Sequence, residues 1–219
     1  MKRILLSIVL ALTAQTIKAQ TVVIGTQTWT TKNLDVATYS DGTPIPQVTE
    51  PTAWANLITG AWCYYNNDSA NGTNYGKLYN WYAIAGIHDT DPNTPNKKLA
   101  PPGYHVPSDA EWTTLTTCLG GESVAGGKMK TTGTIQAGTG LWNTPNEGAT
   151  NESGFTGLPG GYCYYDGIFY SISDYGLWWS STEYDTFQAW YRVLSSFNDN
   201  ATRLNNSKTQ GFSVRLIKD

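Results

Sequence analysis

Residues 177–185 read LWWSSTEYD, in which two adjacent tryptophans precede three small hydroxyl residues and an acidic and aromatic cluster. In a β-strand, neighbouring side chains point to opposite faces of the sheet. Trp178 and Trp179 can therefore both belong to the core only if both faces are covered. We expect Trp179 to pack inward and Trp178 to lie nearer the surface. The expected partners of Trp179 are Phe212, Val214 and Trp190.

Short strands and turns are predicted on both sides of this stretch. VVIGTQTW (22–29) favours an opening hairpin, and GYCYYDGIFYSIS (161–173) favours a second one that turns at Asp166-Gly167. AWYRVLS (189–195) and GFSVRLIKD (211–219) have the composition of further short strands.

Two helices are predicted in the first half of the chain. In SDAEWTTLTTCLGG (108–121), Ser108 and Glu111 have the spacing of a capping box. Trp112, Leu115 and Leu119 share one helical face, and Cys118 is expected to be buried beside it. The second helix is predicted in YGKLYNWYAIAG (75–86), where Gly86 ends the run. Helices in one part of the chain and strands in another predict an α+β fold with a small antiparallel sheet.

The first 19 residues have the pattern of a secretory signal peptide. Lys2 and Arg3 precede an apolar run, and a short polar region ends at Ala19. The run is shorter than the roughly 20 residues that span a bilayer, although a retained membrane anchor is the alternative. We expect residues 1–19 to be removed and residues 20–219 to form a single exported domain that is extracellular, periplasmic or at the cell surface.

The charge balance argues against nucleic acid as a partner. Loss of Lys2, Arg3 and Lys18 would leave 11 basic against 17 acidic residues, a net charge of −6. An acidic surface repels phosphate backbones. Aromatic residues make up 13% of the chain, nearly matching the 14% that are charged, which favours an aromatic-lined surface. The three cysteines, Cys63, Cys118 and Cys163, leave at least one thiol unpaired, and the pairing stays open.

Six stretches in order carry a family resemblance. They are IGTQTWTTKNLDV (24–36), CYYNNDSANGTNYGKLYNWYA (63–83), APPGYHVPSDAEWTTL (100–115), GATNESGFTGLPGGY (148–162), WWSSTEYD (178–185) and GFSVRLIKD (211–219). Together they resemble the Fibrobacter succinogenes major paralogous (FISUMP) domain, which implies a bacterial, exported domain with no established activity. The resemblance covers essentially all of residues 20–219.

Two of these stretches also resemble the formylglycine-generating-enzyme family. GYHVPSDAEW and the closing GFSVRL are similar to motifs of that family, which implies a C-type-lectin-like fold: about two helices packed on short, twisted antiparallel strands with long loops. Fold alone does not carry function. Many FISUMP members have a cysteine where this chain has Ala100 and another where it has Leu216. If that pair forms a bridge in relatives, this chain lacks it.

The sequence does not favour an enzyme. His88 and His105 lack the spacing of a metal site, and no nucleophile, base and orienting acid can be assembled from the pattern. We therefore expect no catalytic residues and no cofactor except calcium. Asp89, Asp91 and Asn93 alternate in HDTDPNTPN and could place oxygens around one Ca²⁺ ion. Thr94 and Ala100 stand where an EF-hand needs glycine and glutamate, and turns capped by Asp and Asn are the alternative.

Exposed aromatic side chains favour a binding surface for sugars. Tryptophan and tyrosine rings present a flat apolar face with a polar edge, and nearby polar groups can bond hydroxyls. The candidate ligand-binding residues are Trp178, Tyr164, Tyr165, Tyr170, Tyr184, Asp185 and Asn198. The sequence thus predicts a non-catalytic module that binds polysaccharide or cell-surface glycan. The alternatives are a structural or adhesive protein that contacts a cell-surface protein, and a degenerate enzyme without activity.

Overall fold

The computed structural model describes residues 20–219, and the expected signal peptide at 1–19 lies outside them. The fold is α+β, with short helices and several small, mostly antiparallel sheets. The helices are α1 (Pro51–Ala55), α2 (Ser69–Tyr75), α3 (Trp81–Ala85), α4 (Asp109–Cys118) and α5 (Glu122–Met129). The strands are β1 (Thr21–Ile24), β2 (Gln27–Thr30), β3 (Trp62–Cys63), β4 (Leu78–Tyr79), β5 (Tyr104–His105), β6 (Gly160–Cys163), β7 (Phe169–Ile172), β8 (Tyr175–Glu183), β9 (Gln188–Ser195), β10 (Ala201–Ser207) and β11 (Ile217–Lys218).

The largest sheet has five strands in the order β10-β9-β8-β6-β7. Its pairs are antiparallel except β6 and β8, which run parallel at Gly161 and Gly176. The β6–β7 hairpin contains the predicted Asp166-Gly167 turn, so that prediction is confirmed. β10 was not predicted because its sequence, ATRLNNS, has almost no apolar alternation; it forms by pairing with β9 over seven residues.

Two smaller sheets complete the strand structure described. One has the order β1-β2-β11-β5 and includes the predicted opening hairpin; the other is the β3–β4 pair. The predicted last strand is regular only at Ile217–Lys218. Upstream of it, residues 211–213 make isolated bridges to Cys163, Tyr79 and Trp178, and so connect separate parts of the fold.

Both faces of β8 are covered, so the prediction that Trp178 lies nearer the surface is wrong. Trp178 and Trp179 are each 0% exposed. The Trp179 ring lies 4.2 Å from Phe212, between centroids, in the main core cluster. The Trp178 ring lies 5.7 Å from Phe155 in a second cluster, which α4 and α5 help to build.

Trp190 does not accompany Trp179, contrary to expectation. It alternates with Tyr191 along β9, and Tyr191 lies opposite Trp179. Trp190 therefore faces the other side of the sheet, where it packs against Tyr184 at 4.8 Å and under the Arg203 guanidinium at 3.3 Å.

The predicted capping box at the start of α4 is confirmed. The Ser108 hydroxyl accepts from the Glu111 N–H at 3.3 Å, and Glu111 Oε2 accepts from the Ser108 N–H at 2.7 Å. Trp112 and Leu115 pack in the second cluster. Cys118 is exposed, so its predicted burial is wrong; at 3.6 residues per turn it lies off the face that carries Trp112.

The second predicted helix is only partly correct. Within 75–86, Leu78–Tyr79 is strand β4 and only Trp81–Ala85 is helical. The change occurs at Asn80, whose Oδ1 accepts from the N–H groups of Ala83 and Ala61, each at 3.0 Å. The helix ends at Gly86, as predicted, and the structure places Gly86 in the left-handed conformation.

Two buried cations bond mainly to carbonyl oxygens. The Lys130 ammonium donates to the carbonyls of Glu147, Ser195 and Asn198 at 2.7–2.8 Å. The Arg215 guanidinium donates to the carbonyls of Thr30, Phe155 and Thr156 and to the side chain of Asn33.

Ala100 and Leu216, the two positions where many FISUMP members have cysteine, are both buried in the main core cluster. Among residues 20–219, no helix has the length and hydrophobicity needed to span a membrane.

Candidate functional site: a tyrosine cleft on the five-stranded sheet

A cleft of about 300 Å³ lies on one face of the five-stranded sheet. We call it the tyrosine cleft because four tyrosines line it. Its lining residues are Tyr162, Tyr164, Ser171, Tyr175, Leu177, Tyr191, Val193, Leu204, Asn206 and Gln210.

Strand alternation explains the floor of the cleft. Leu177 on β8 lies opposite Val193 on β9, and Leu204 on β10 lies opposite Tyr191. These residues share the face on which Trp179 is buried further along β8. The core covers the Trp179 end of this face, whereas the other end opens into the cleft.

The β6–β7 hairpin builds one wall of the cleft from tyrosines. Tyr162 lies opposite Tyr170 in register, with ring centroids 5.9 Å apart, and Tyr164 lies 5.9 Å from Tyr170 and 4.3 Å from Tyr165. The hairpin backbone turns closely at Gly161, where φ is 62° and a Cβ would lie 2.6 Å from the carbonyl oxygen of Tyr170. Only glycine fits there without strain.

The polar groups of the cleft are uncharged at neutral pH. Burial raises the pKa of Tyr191 and of Tyr162, although hydrogen bonds with Asn206 and Ser171 respectively act in the opposite direction. Gln210 is 1% exposed, and its Nε2 has no hydrogen-bond partner among the described residues. The cleft thus combines aromatic faces with neutral hydrogen-bonding groups, a combination suited to a neutral polar ligand.

The structure brings together only some of the predicted ligand-binding residues. Tyr164 lines the cleft, whereas Tyr165 and Tyr170 pack against the Tyr164 ring outside the lining and are 49% and 43% exposed. Trp178 lies in the core and offers no exposed ring.

The other three candidates lie at the two ends of β9. Tyr184 and Asp185 precede β9, where Asp185 Oδ1 accepts from the N–H groups of Phe187 and Gln188. Asn198 follows β9 and caps its own turn by accepting from the Asn200 N–H. These residues therefore form no common rim with the cleft. The sequence reasoning missed Tyr162, Tyr175, Tyr191 and Gln210, although alternation along the strands could have indicated Tyr175 and Tyr191.

The candidate calcium loop is organised by turns capped with its own side chains. Asp89 Oδ1 accepts from the Asp91 N–H at 3.0 Å, and Asp91 Oδ1 accepts from the backbone and side-chain N–H groups of Asn93 at 2.9 and 3.0 Å. This geometry matches the alternative weighed from the sequence. Across residues 20–219, no three His, Cys, Asp or Glu side chains are arranged to hold a metal ion.

His105 connects the start of α4 to the end of the chain. Its Nδ1 lies 2.6 Å from Asp219 Oδ1, and its Nε2 lies 2.8 Å from Glu111 Oε1. Burial of the ring lowers the pKa of His105, but the bonds to Asp219 and Glu111 outweigh it and raise the pKa overall. Because both ring nitrogens are occupied by carboxylates, the arrangement suits an ion-paired clasp better than a general base.

Comparison with known families identifies the family of this chain. The sequence model described as the Fibrobacter succinogenes major domain matches residues 22–218, nearly the whole described chain. Neither the curated proteins nor the solved structures gave a match.

Proposed function

The chain belongs to the Fibrobacter succinogenes major domain family, and we propose that this member is an exported, non-catalytic module that binds a neutral polysaccharide or cell-surface glycan in the tyrosine cleft. The lectin-like fold implied by the sequence resemblance is part of this proposal. The observation that carries it is the cleft itself, which is open, lined by four tyrosines and free of charged side chains.

The aromatic wall supports a sugar as the ligand. A pyranose ring has apolar C–H faces that can lie against a tyrosine ring, while its hydroxyls need hydrogen-bond partners at the edges. The tyrosine, serine, asparagine and glutamine side chains of the cleft provide such partners. Because none of them is ionic, a neutral glycan fits the lining better than an anionic one.

Gln210 supplies a specific polar contact in this proposal. A buried amide N–H without a partner costs about 1–3 kcal/mol. An acceptor oxygen of the ligand, such as a hydroxyl or an acetamido carbonyl, would satisfy Gln210 Nε2 after a small opening of the cleft. The unsatisfied amide thus gives bound ligand an advantage over the empty cleft.

The proposal is tested by measuring glycan binding of three matched proteins. Wild type, Tyr170→Ala and Tyr184→Ala are applied to a glycan array, and hits are quantified by isothermal titration calorimetry. Tyr170 and Tyr184 are similarly exposed, at 43% and 51%, but only Tyr170 packs against Tyr162 and Tyr164 and so supports the aromatic wall of the cleft. We expect Tyr170→Ala to weaken binding at least tenfold, about 1.4 kcal/mol, and Tyr184→Ala to leave it unchanged.

Other outcomes would redirect the assignment. Loss of binding in chelator would implicate the Asp89–Asn93 loop and calcium instead of the cleft. Equal binding by both variants would place the ligand elsewhere on the molecule. Absence of binding across the array would overturn the glycan proposal and favour a structural or adhesive role toward other proteins.

A further inference from the structure

Two of the three cysteines lie side by side in the protein interior. Cys63 on β3 and Cys163 on β6 are fully buried in one hydrophobic cluster, which also contains Trp54 and Leu78. Both side chains pack in this one small cluster, and the neighbouring Cys163, together with burial, raises the pKa of Cys63. Cys163 alternates with Tyr162 and Tyr164 along β6, so its side chain points away from the tyrosine cleft.

Gly211 leaves room for Cys163 in this cluster beside Trp54. Gly211 pairs with Cys163, and a Cβ on Gly211 would lie 3.0 Å from the Cys163 Cβ and 2.9 Å from the Trp54 ring. Because Gly211 has no side chain, the Trp54 ring and the Cys163 side chain can both pack directly against its backbone. Cys63 reaches the cluster from β3, where it pairs with Leu78.

We propose that Cys63 and Cys163 form a disulfide bond when the chain folds in an oxidising compartment. The thiolate of one cysteine attacks the disulfide of an exchange partner, either a thiol–disulfide oxidoreductase or a small-molecule disulfide, and releases one thiol. The second thiolate then attacks this mixed disulfide and releases the other thiol. The two cysteines lose two electrons and two protons, and the partner's disulfide is reduced to two thiols.

The third cysteine is excluded by its position. Cys118 is exposed near the end of α4, whereas Cys63 and Cys163 are buried together in the cluster that contains Trp54 and Leu78. The structure thus selects one of the three pairings that the sequence left open.

Burial determines when the bond can form. Desolvation, together with the contact to Cys163, raises the pKa of Cys63 well above its usual value and disfavours the reactive thiolate in the folded protein. The exchange therefore proceeds while the chain is still folding, and the finished bond is shielded from reductants. The bond would tie β3 to the five-stranded sheet and limit the freedom of the unfolded chain.

The test counts thiols after refolding. The full-length chain is reduced in guanidinium, refolded in a glutathione redox buffer, unfolded again without reductant and alkylated. We expect one label by intact mass in the refolded protein and three after reduction. A non-reducing digest should contain one peptide that links Cys63 to Cys163. The oxidised protein should also unfold at a higher denaturant concentration than the reduced protein.

Two variants keep the result interpretable. Cys118→Ser should accept no label and keep the redox-dependent shift in unfolding midpoint, whereas Cys63→Ser should accept two labels and lose the shift. Three labels on refolded wild type, or a linked peptide that contains Cys118, would overturn the proposal. If Cys63→Ser fails to fold, the label count and digest of Cys118→Ser still decide the pairing.

Discussion

Replacement of Trp178 tests whether the tryptophan pair is core or platform. Trp178 is 0% exposed and packs against Phe155 at 5.7 Å, and its indole N–H donates to Asn33 Oδ1 at 2.8 Å. Truncation of a buried tryptophan to alanine costs about 3–5 kcal/mol. The hydrogen bond adds about 0.5–1.5 kcal/mol, and the loss stays modest because Asn33 Oδ1 also accepts from Arg215.

Urea unfolding of three variants measures these losses in the free energy of unfolding. We expect Trp178→Ala to lower the free energy of unfolding by about 3.5–6.5 kcal/mol, a large part of the 5–15 kcal/mol typical of a folded domain. Trp178→Phe keeps most of the ring packing and should lose less than half as much. Tyr184→Ala is the matched surface control; its ring is 51% exposed and packs on Trp190, so its cost should be about 1 kcal/mol.

The outcomes separate the two roles of Trp178. We expect Trp178→Phe to bind glycan as wild type does, because Trp178 packs in the second core cluster, on the face of β8 opposite the one that lines the cleft. A cost below about 1 kcal/mol for Trp178→Ala, with an unchanged denaturant slope, would show that the indole is not a core side chain. The second face of β8 would then not be covered at Trp178.

Three further perturbations test the polar contacts of the fold. Lys130→Met should destabilise the fold by about 3 kcal/mol or more because it removes the donor to three carbonyls. The control Lys128→Met changes a partly exposed ion pair and should cost less than about 1 kcal/mol. Equal urea unfolding midpoints for the two variants would contradict this expectation. Because the pKa of His105 is raised in the folded protein, its ion pairs stabilise the fold fully below the unfolded pKa of about 6.5, and this stabilisation is lost as pH rises through the folded pKa. His105→Gln should flatten this part of the curve of unfolding free energy against pH. An unchanged curve would refute the ion-paired clasp. Ser108→Ala should cost about 1 kcal/mol through loss of the α4 cap, measured by thermal unfolding, and Thr114→Ala on the exposed face of the same helix is its control.

Local signals in the sequence were sufficient for several elements. The capping box at Ser108 and Glu111 is made within four residues, and the Asp166-Gly167 turn lies between adjoining strands. The turns at Asp89 and Asp91 likewise use only neighbouring backbone N–H groups. Each of these features could be predicted because its hydrogen-bond donors and acceptors are close together in the sequence. The α+β class followed from the same local patterns.

Long-range contacts decided the rest. Whether Trp178 was core depended on Phe155, α4 and α5 covering the second face of β8, which no pattern within LWWSSTEYD encodes. β4 replaced the first part of a predicted helix because Tyr79 pairs with Phe212, which lies far along the chain. Tyr164 was predicted as a ligand residue, but only the pairing of β6, β8 and β9 places it in one cleft with Tyr175 and Tyr191.

The sequence by itself determined the family, the α+β class, the α4 cap and the aromatic composition from which a binding surface could be made. Tertiary structure alone decided which aromatic rings face solvent and which cysteines meet. The physical reason is that exposure and contact depend on which surfaces cover a residue from elsewhere in the chain, whereas capping and turns depend on neighbours a few residues away.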